Sequence, residues 1–273
     1  MSETRYIEHR GIRTAYTDSG GEGISLVLVH GYTGSKLDFR DEVALLAETG
    51  RVISVDLRGH GESTNTGDED SYTIETLIAD LDSFVESLGL DSLDILGHSL
   101  GGMVVMRYTA KRPEKVRSLI LMDTHPGPMV APMERPSGVD EQARKEGVQS
   151  LLPMMKLMPI VPGAQRGIDY LGEEEHYRRI ETKLAEMDPA AFAGLWNEIL
   201  NLKGFKSELG KISCPTTIIV GEEDEPFVEP SKDMADVITG SNLVIIPLAS
   251  HCPQYENAPA WREAIAMHYS DLR

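Results

Sequence analysis

One short stretch limits the folds open to this chain more than any other: Asp94-Ile95-Leu96-Gly97-His98-Ser99-Leu100-Gly101-Gly102. An apolar run meets a serine with glycine two residues to either side, and Met103-Val104-Val105-Met106-Arg107-Tyr108 then continues as a buriable helix. This is the pattern of a nucleophile elbow, in which a serine sits on a strained strand-to-helix turn and only glycine leaves room for the neighbouring main chain. Its hydroxyl is pushed clear of the sheet, and the first amides of the helix point at whatever that oxygen attacks.

The apolar runs at 26–30, 51–56, 93–97 and 117–123 each stop near Gly or Asp and read as central strands, and the strand pattern resumes at 216–221 and 243–246. Helical periods lie at 38–48, 73–88 and 100–111, with a last helix at 258–269. Strands buried on both faces and alternating with helices predict a parallel sheet covered on each side. Segments 5–9 and 12–17 alternate without an intervening helix and predict an antiparallel hairpin at one edge. From 124 to 209 the rhythm changes to proline-rich helical segments with methionines at 129, 133, 154, 155 and 158. That stretch is expected to be a helical cap inserted into a core of residues 1–123 and 210–273.

A serine hydroxyl needs a base to take its proton and a third group to hold that base in the right tautomer. His251 and Asp224 are the candidates, because both lie in loops following strands that end at the same sheet edge as Ser99, where open parallel sheets bind ligands. Asp123 and Asp56 also end strands. His98 is expected to pack beneath the site, and His30 to shape its loop. His60, His125 and His176 have no partner visible in the sequence.

In the order nucleophile, acid, histidine, the chain resembles the α/β-hydrolase superfamily. The resemblance is carried by His30-Gly31-Tyr32-Thr33-Gly34, Asp56-Leu57-Arg58-Gly59-His60-Gly61-Glu62-Ser63, the elbow, Gly221-Glu222-Glu223-Asp224 and His251-Cys252-Pro253-Gln254-Tyr255-Glu256. It implies an α/β-hydrolase fold, a mostly parallel eight-stranded sheet flanked by helices, with an inserted cap. It implies a structural role for the turn after Asp56 and makes Asp123 an alternative acid, since some members of the superfamily place the acid at the end of that strand. It also implies an oxyanion hole made by the backbone N–H groups of Tyr32 and Leu100. Independently, one of these amides begins a helix after the serine and the other belongs to a glycine-bearing loop able to approach closely.

The expected activity is a cofactor-independent serine hydrolase cleaving a small to medium carboxylic ester, thioester or lactone through an acyl-enzyme. Carbon–carbon bond hydrolysis of ring-cleavage-type diketones is the alternative, because the His251 segment resembles that branch as much as the esterases. A ligand-binding receptor on the same fold is the reading from a different class. A pocket lined by Met129, Met154, Met155, Met158 and Trp196 is expected, against the plainer role of packing the cap onto the core.

A net charge of −18 argues against nucleic acid or an anionic membrane as a partner. The partner expected is a small molecule bearing an acyl or carbonyl group. Two cysteines, Cys214 and Cys252, make neither a disulfide framework nor a metal motif, and no metal or cofactor is called for. Without a spanning apolar run or an apolar leader, the chain reads as soluble and cytoplasmic.

Overall fold

In the computed structural model, which describes residues 3–128 and 135–272, the apolar runs become β3 (Ser25–Val29), β4 (Val52–Val55), β5 (Leu93–His98), β6 (Val116–Met122), β7 (Thr216–Gly221) and β8 (Asn242–Ile246). They follow an antiparallel pair, β1 (Thr4–His9) and β2 (Ile12–Asp18). All eight form one sheet in the order β1-β2-β4-β3-β5-β6-β7-β8. β2 joins β4 antiparallel, and β3 to β8 run parallel. The carboxyl ends of β5, β6 and β7 are therefore neighbours, with β5, which leads into Ser99, near the middle.

Continuous apolar runs are what a sheet covered on both faces requires, and every residue of β3, β5 and β7 is buried. Because side chains alternate, Val27 and Val29 join one hydrophobic cluster with the helices Ile74–Ser87 and Leu100–Lys111, while Leu26 and Leu28 join another with the helix Ala258–Ser270. The helix Ile74–Ser87 begins at Thr73, whose hydroxyl accepts the Thr76 N–H at 3.1 Å.

The helix expected at 38–48 shrinks to Val43–Leu46. Before it, the amides of Asp38, Arg40 and Glu42 each bond a carbonyl three residues back, tightening the chain into successive turns. Buried charge pairing anchors that path: Asp38 meets Lys183 at 2.9 Å and Glu42 meets Arg262 at 2.7 Å. These are tertiary partners that no local periodicity reveals.

Between β6 and β7 the chain leaves the sheet for helices at Val139–Glu146, Leu152–Met155, Pro162–Leu171, Glu173–Glu186 and Pro189–Leu200. Among the described residues this excursion shows no separate interior. Val139, Leu184, Phe192 and Leu195 belong to the same cluster as Leu100 and Met103 of the elbow helix. Buried Arg107 ties both ends down, donating to the Met103 carbonyl at 2.9 Å, to that of Pro126 at 2.9 Å and to that of Lys203 at 3.4 Å, with its guanidinium over the Phe205 ring. No described helix is long and apolar enough to cross a membrane.

Candidate active site

Ser99 sits at φ +50° and ψ −116° between β5 and the helix Leu100–Lys111. A non-glycine residue in that region costs on the order of 1–3 kcal/mol and persists only where its surroundings over-determine it. Those surroundings come from β6: the Ser99 N–H donates to the Met122 carbonyl at 2.9 Å, and the Thr124 hydroxyl donates to the Ser99 carbonyl at 2.7 Å. The flanking glycines admit the crossing of main chains. A β-carbon on Gly97 would lie 2.6 Å from the Gly101 carbonyl oxygen, and one on Gly101 would lie 2.3 Å from that of Val29.

His251, in the loop after β8, places Nδ1 2.7 Å from Oδ2 of Asp224, which follows β7 and starts the helix Glu225–Val237. The His251 ring rests against Phe227 and His98, each with its centroid 4.8 Å away. His98 Nε2–H donates to the His251 carbonyl at 2.8 Å, so the residue beside Ser99 holds the backbone of His251. Burial, reinforced by nearby His251, pulls the His98 pKa down to about 3, which keeps this donor neutral.

His30 is arranged in the same way under the Tyr32 loop. The Leu57 N–H donates to its Nε2 at 3.1 Å, which leaves Nδ1–H to donate to the Gly31 carbonyl at 2.7 Å, and burial lowers its pKa to about 4. Asp56 lies off the site, accepting the Lys36 and Glu62 amides at 2.6 and 3.0 Å and pairing with the Lys36 ammonium at 2.8 Å. Asp123 is close to the site. Fully buried, it accepts the Gly221 N–H at 2.9 Å, and burial followed by the charge of Asp224 raises its pKa well above the usual carboxylate range.

Ser99, His251 and Asp224 open on a cavity of about 350 Å³ walled by Tyr32, Met103, Trp196, Ile199 and Phe227. Leu100, whose amide starts the elbow helix, is buried behind it. The excursion between β6 and β7 reaches Tyr32 directly: the Tyr32 ring stacks 5.7 Å from Phe192, its hydroxyl donates to the Phe192 carbonyl and accepts from Arg135, and Arg135 is paired with Asp140. A second cavity, of about 310 Å³, lies on the other flank of His251 between Tyr255 and the helices carrying Ala164 and Arg179.

The expected methionine-lined pocket needs correction. Trp196 is in the wall, but Met154, Met155 and Met158 are not. The short helix Leu152–Met155 packs on Glu173–Glu186 at the outer side of the excursion, which leaves Met155 partly exposed and Met158 59% exposed. Met129 lies outside the described residues. Met103 and Phe227 instead supply apolar wall, four residues beyond Ser99 and three beyond Asp224, spacings that put them on the same helix faces as those residues. His125 also lines the cavity; the Gly127 N–H donates to its Nδ1 at 2.9 Å.

Donor atoms of Asp123, Asp224 and His251 all fall within 4.8 Å of one another, the separation a metal ion needs. His251 Nδ1 and Asp224 are engaged with each other at 2.7 Å, so an ion there would have to break that bond.

A sequence profile described as the alpha/beta hydrolase fold matches residues 24–152, from β3 through the elbow into the excursion. The fold superposes with a TM-score of 0.82 on an enol-lactonase from Burkholderia xenovorans LB400, at 22% identity over 97% of this chain and 100% of that one. The chain belongs to the α/β-hydrolase superfamily. This α/β hydrolase also matches a thermophilic esterase from Thermogutta terrifontis with a TM-score of 0.81, at 27% identity over 99% of both chains. It is 26% identical over 257 residues, 90% of either chain, to a Bacillus subtilis (strain 168) protein provisionally named 2-succinyl-6-hydroxy-2,4-cyclohexadiene-1-carboxylate synthase.

Proposed function

We propose that this hydrolase cleaves a small to medium carboxylic ester, thioester or lactone through an acyl-enzyme on Ser99, without a cofactor. The observation that carries the reading is the pairing of a serine on a left-handed turn with a His251–Asp224 hydrogen bond of 2.7 Å, all three lining one apolar cavity.

Donation from Nδ1–H to Asp224 leaves the Nε2 lone pair as the base. In the proposed reaction Nε2 takes the Ser99 proton as Oγ bonds the acyl carbon, and the carbonyl electron pair moves onto oxygen. The Tyr32 and Leu100 amides receive that oxyanion. In support, the Tyr32 amide has no backbone acceptor among the described residues, and the Leu100 amide heads a helix, whose first N–H groups have no partner within it. Each such donor is worth about 10²–10³ in rate. Collapse expels the alcohol, thiol or ring oxygen with the proton from His251. Water then gives its proton to Nε2, attacks the acyl carbon, and releases the acid and Ser99.

The two cavities flanking His251 suit a substrate with groups on both sides of the scissile bond. The residues between β6 and β7 act in this reading as a cap that excludes bulk water. The lactonase and esterase named above are consistent with it in fold.

Hydrolysis of p-nitrophenyl esters from acetate to decanoate tests the reading, with wild type compared against Ser99→Ala. Turnover that falls by about 10⁴ or more in a folded variant is expected. A folded wild type that turns over no ester, or a Ser99→Ala variant as fast as wild type, would overturn it.

A further inference from the structure

Two carboxyl groups meet behind His251. Asp123 closes β6 at φ +45° with none of its surface exposed. Its Oδ1 accepts the Gly221 N–H, and its Oδ2 finds no donor among the described residues. One of its oxygens lies within 4.8 Å of both an oxygen of Asp224 and a ring nitrogen of His251.

The remaining titratable groups that face Asp123 do not supply a compensating cation. Glu256, on the short helix Pro253–Glu256, accepts the Ser250 N–H, and burial raises its pKa. Cys252 lies beside it in the same loop. The charges weighing most on Asp123 are those of Asp224 and Glu256, both acidic. His251 is engaged with Asp224. A buried carboxyl in such company sheds its charge rather than face a second carboxylate unpaired.

We propose that Asp123 is a positioning residue that keeps its proton and donates it to Asp224, so that the carboxylate orienting His251 is itself held by a neutral carboxyl. The pair then carries one negative charge. Oδ2, otherwise orphaned, becomes an O–H donor, and Asp224 is aimed from behind while it accepts His251 Nδ1–H in front. Sharing its charge in two hydrogen bonds, Asp224 favours the imidazolium less than an unshared carboxylate would. Asp123 is thereby distinguished from a replacement acid, which would have to be ionised.

The kinetic half of the test rests on the serine-hydrolase reading; the spectroscopic half does not. The infrared difference spectrum of wild type minus Asp123→Asn should show a protonated-carboxyl C=O band at neutral pH that shifts in D₂O, whether or not any ester is hydrolysed. In the pH profile of kcat/KM for p-nitrophenyl butyrate, Asp123→Ala should move the acidic limb up by about half a unit, because an unshared Asp224 stabilises the imidazolium. Asp123→Asn should restore the limb, since its amide N–H₂ donates as the O–H did while its oxygen still takes the Gly221 N–H. Absence of the band overturns the proposal. So does an Asp123→Asn limb displaced to lower pH, the signature of deleting a charged carboxylate beside His251.

Discussion

Replacing His60 with glutamine should remove about 2 kcal/mol from the stability this protein loses between pH 7 and pH 5. His60 has no exposed surface, bonds the Arg58 carbonyl through Nδ1 at 3.1 Å, and stands 4.8 Å from the His30 ring. Burial, with His30 adding to it, brings its pKa down from 6.5 to about 3. Because the folded value is the lower one, the unfolded chain binds more protons between the two. The contribution is therefore complete above pH 6.5 and is lost as pH falls toward 3. Each unit is worth about 1.36 kcal/mol, and integrating against the unfolded titration from pH 7 to 5 gives about 2 kcal/mol. Asp123 works in the opposite sense, since a carboxyl whose folded pKa is raised gains stability as pH falls, but it does so equally in both proteins and cancels in the comparison. Urea unfolding of wild type and His60→Gln followed by circular dichroism at both pH values measures the double difference. Equal losses in the two proteins, or a larger loss in the variant, would refute the assignment of His60 as a buried neutral histidine.

Asp224→Asn should lower kcat by about 10⁴ with little change in fold, because an amide donating to Nδ1 puts the histidine's proton on Nε2, the nitrogen that must accept from Ser99; steady-state hydrolysis of p-nitrophenyl butyrate checks this, and a loss under tenfold would remove Asp224 from the acid's role. Lys36→Met should destabilise the protein by about 3–5 kcal/mol, since it strands the buried Asp56 carboxylate 2.8 Å from where its counter-ion stood. The urea midpoint reads that change directly.

Strand positions, the elbow and the edge hairpin were legible because each is written in local pattern: continuous apolar runs, glycines around a serine, and alternation of period two. The positions of Ser99, Asp224 and His251 followed from the rule that parallel strands deliver their carboxyl ends to one edge. What escaped is non-local. Composition could not say that Met154 packs against the core cluster and Met155 and Met158 are left exposed while Met103 lines the cavity, since that depends on how the excursion docks. Arg135 reaches Tyr32 from 103 residues away, and the turns around 38–42 obey ion pairs with Lys183 and Arg262 rather than their own helical period. Asp123 was read as a rival to Asp224, and only the folded chain brings them together as neighbours.

Met103 and Ile199 of the cavity wall lie in one continuous apolar mass with residues that hold the roof to the sheet, Phe192 and Leu195 in the same cluster as Leu100. For a lineage adapting to new substrates, this couples two currencies of selection. A change in the roof that reshapes the cavity also alters the footing of the helix that follows Ser99, so new cavity shapes are expected to arrive with compensating substitutions along Leu100–Lys111, and a roof grafted whole from a relative must bring that helix with it.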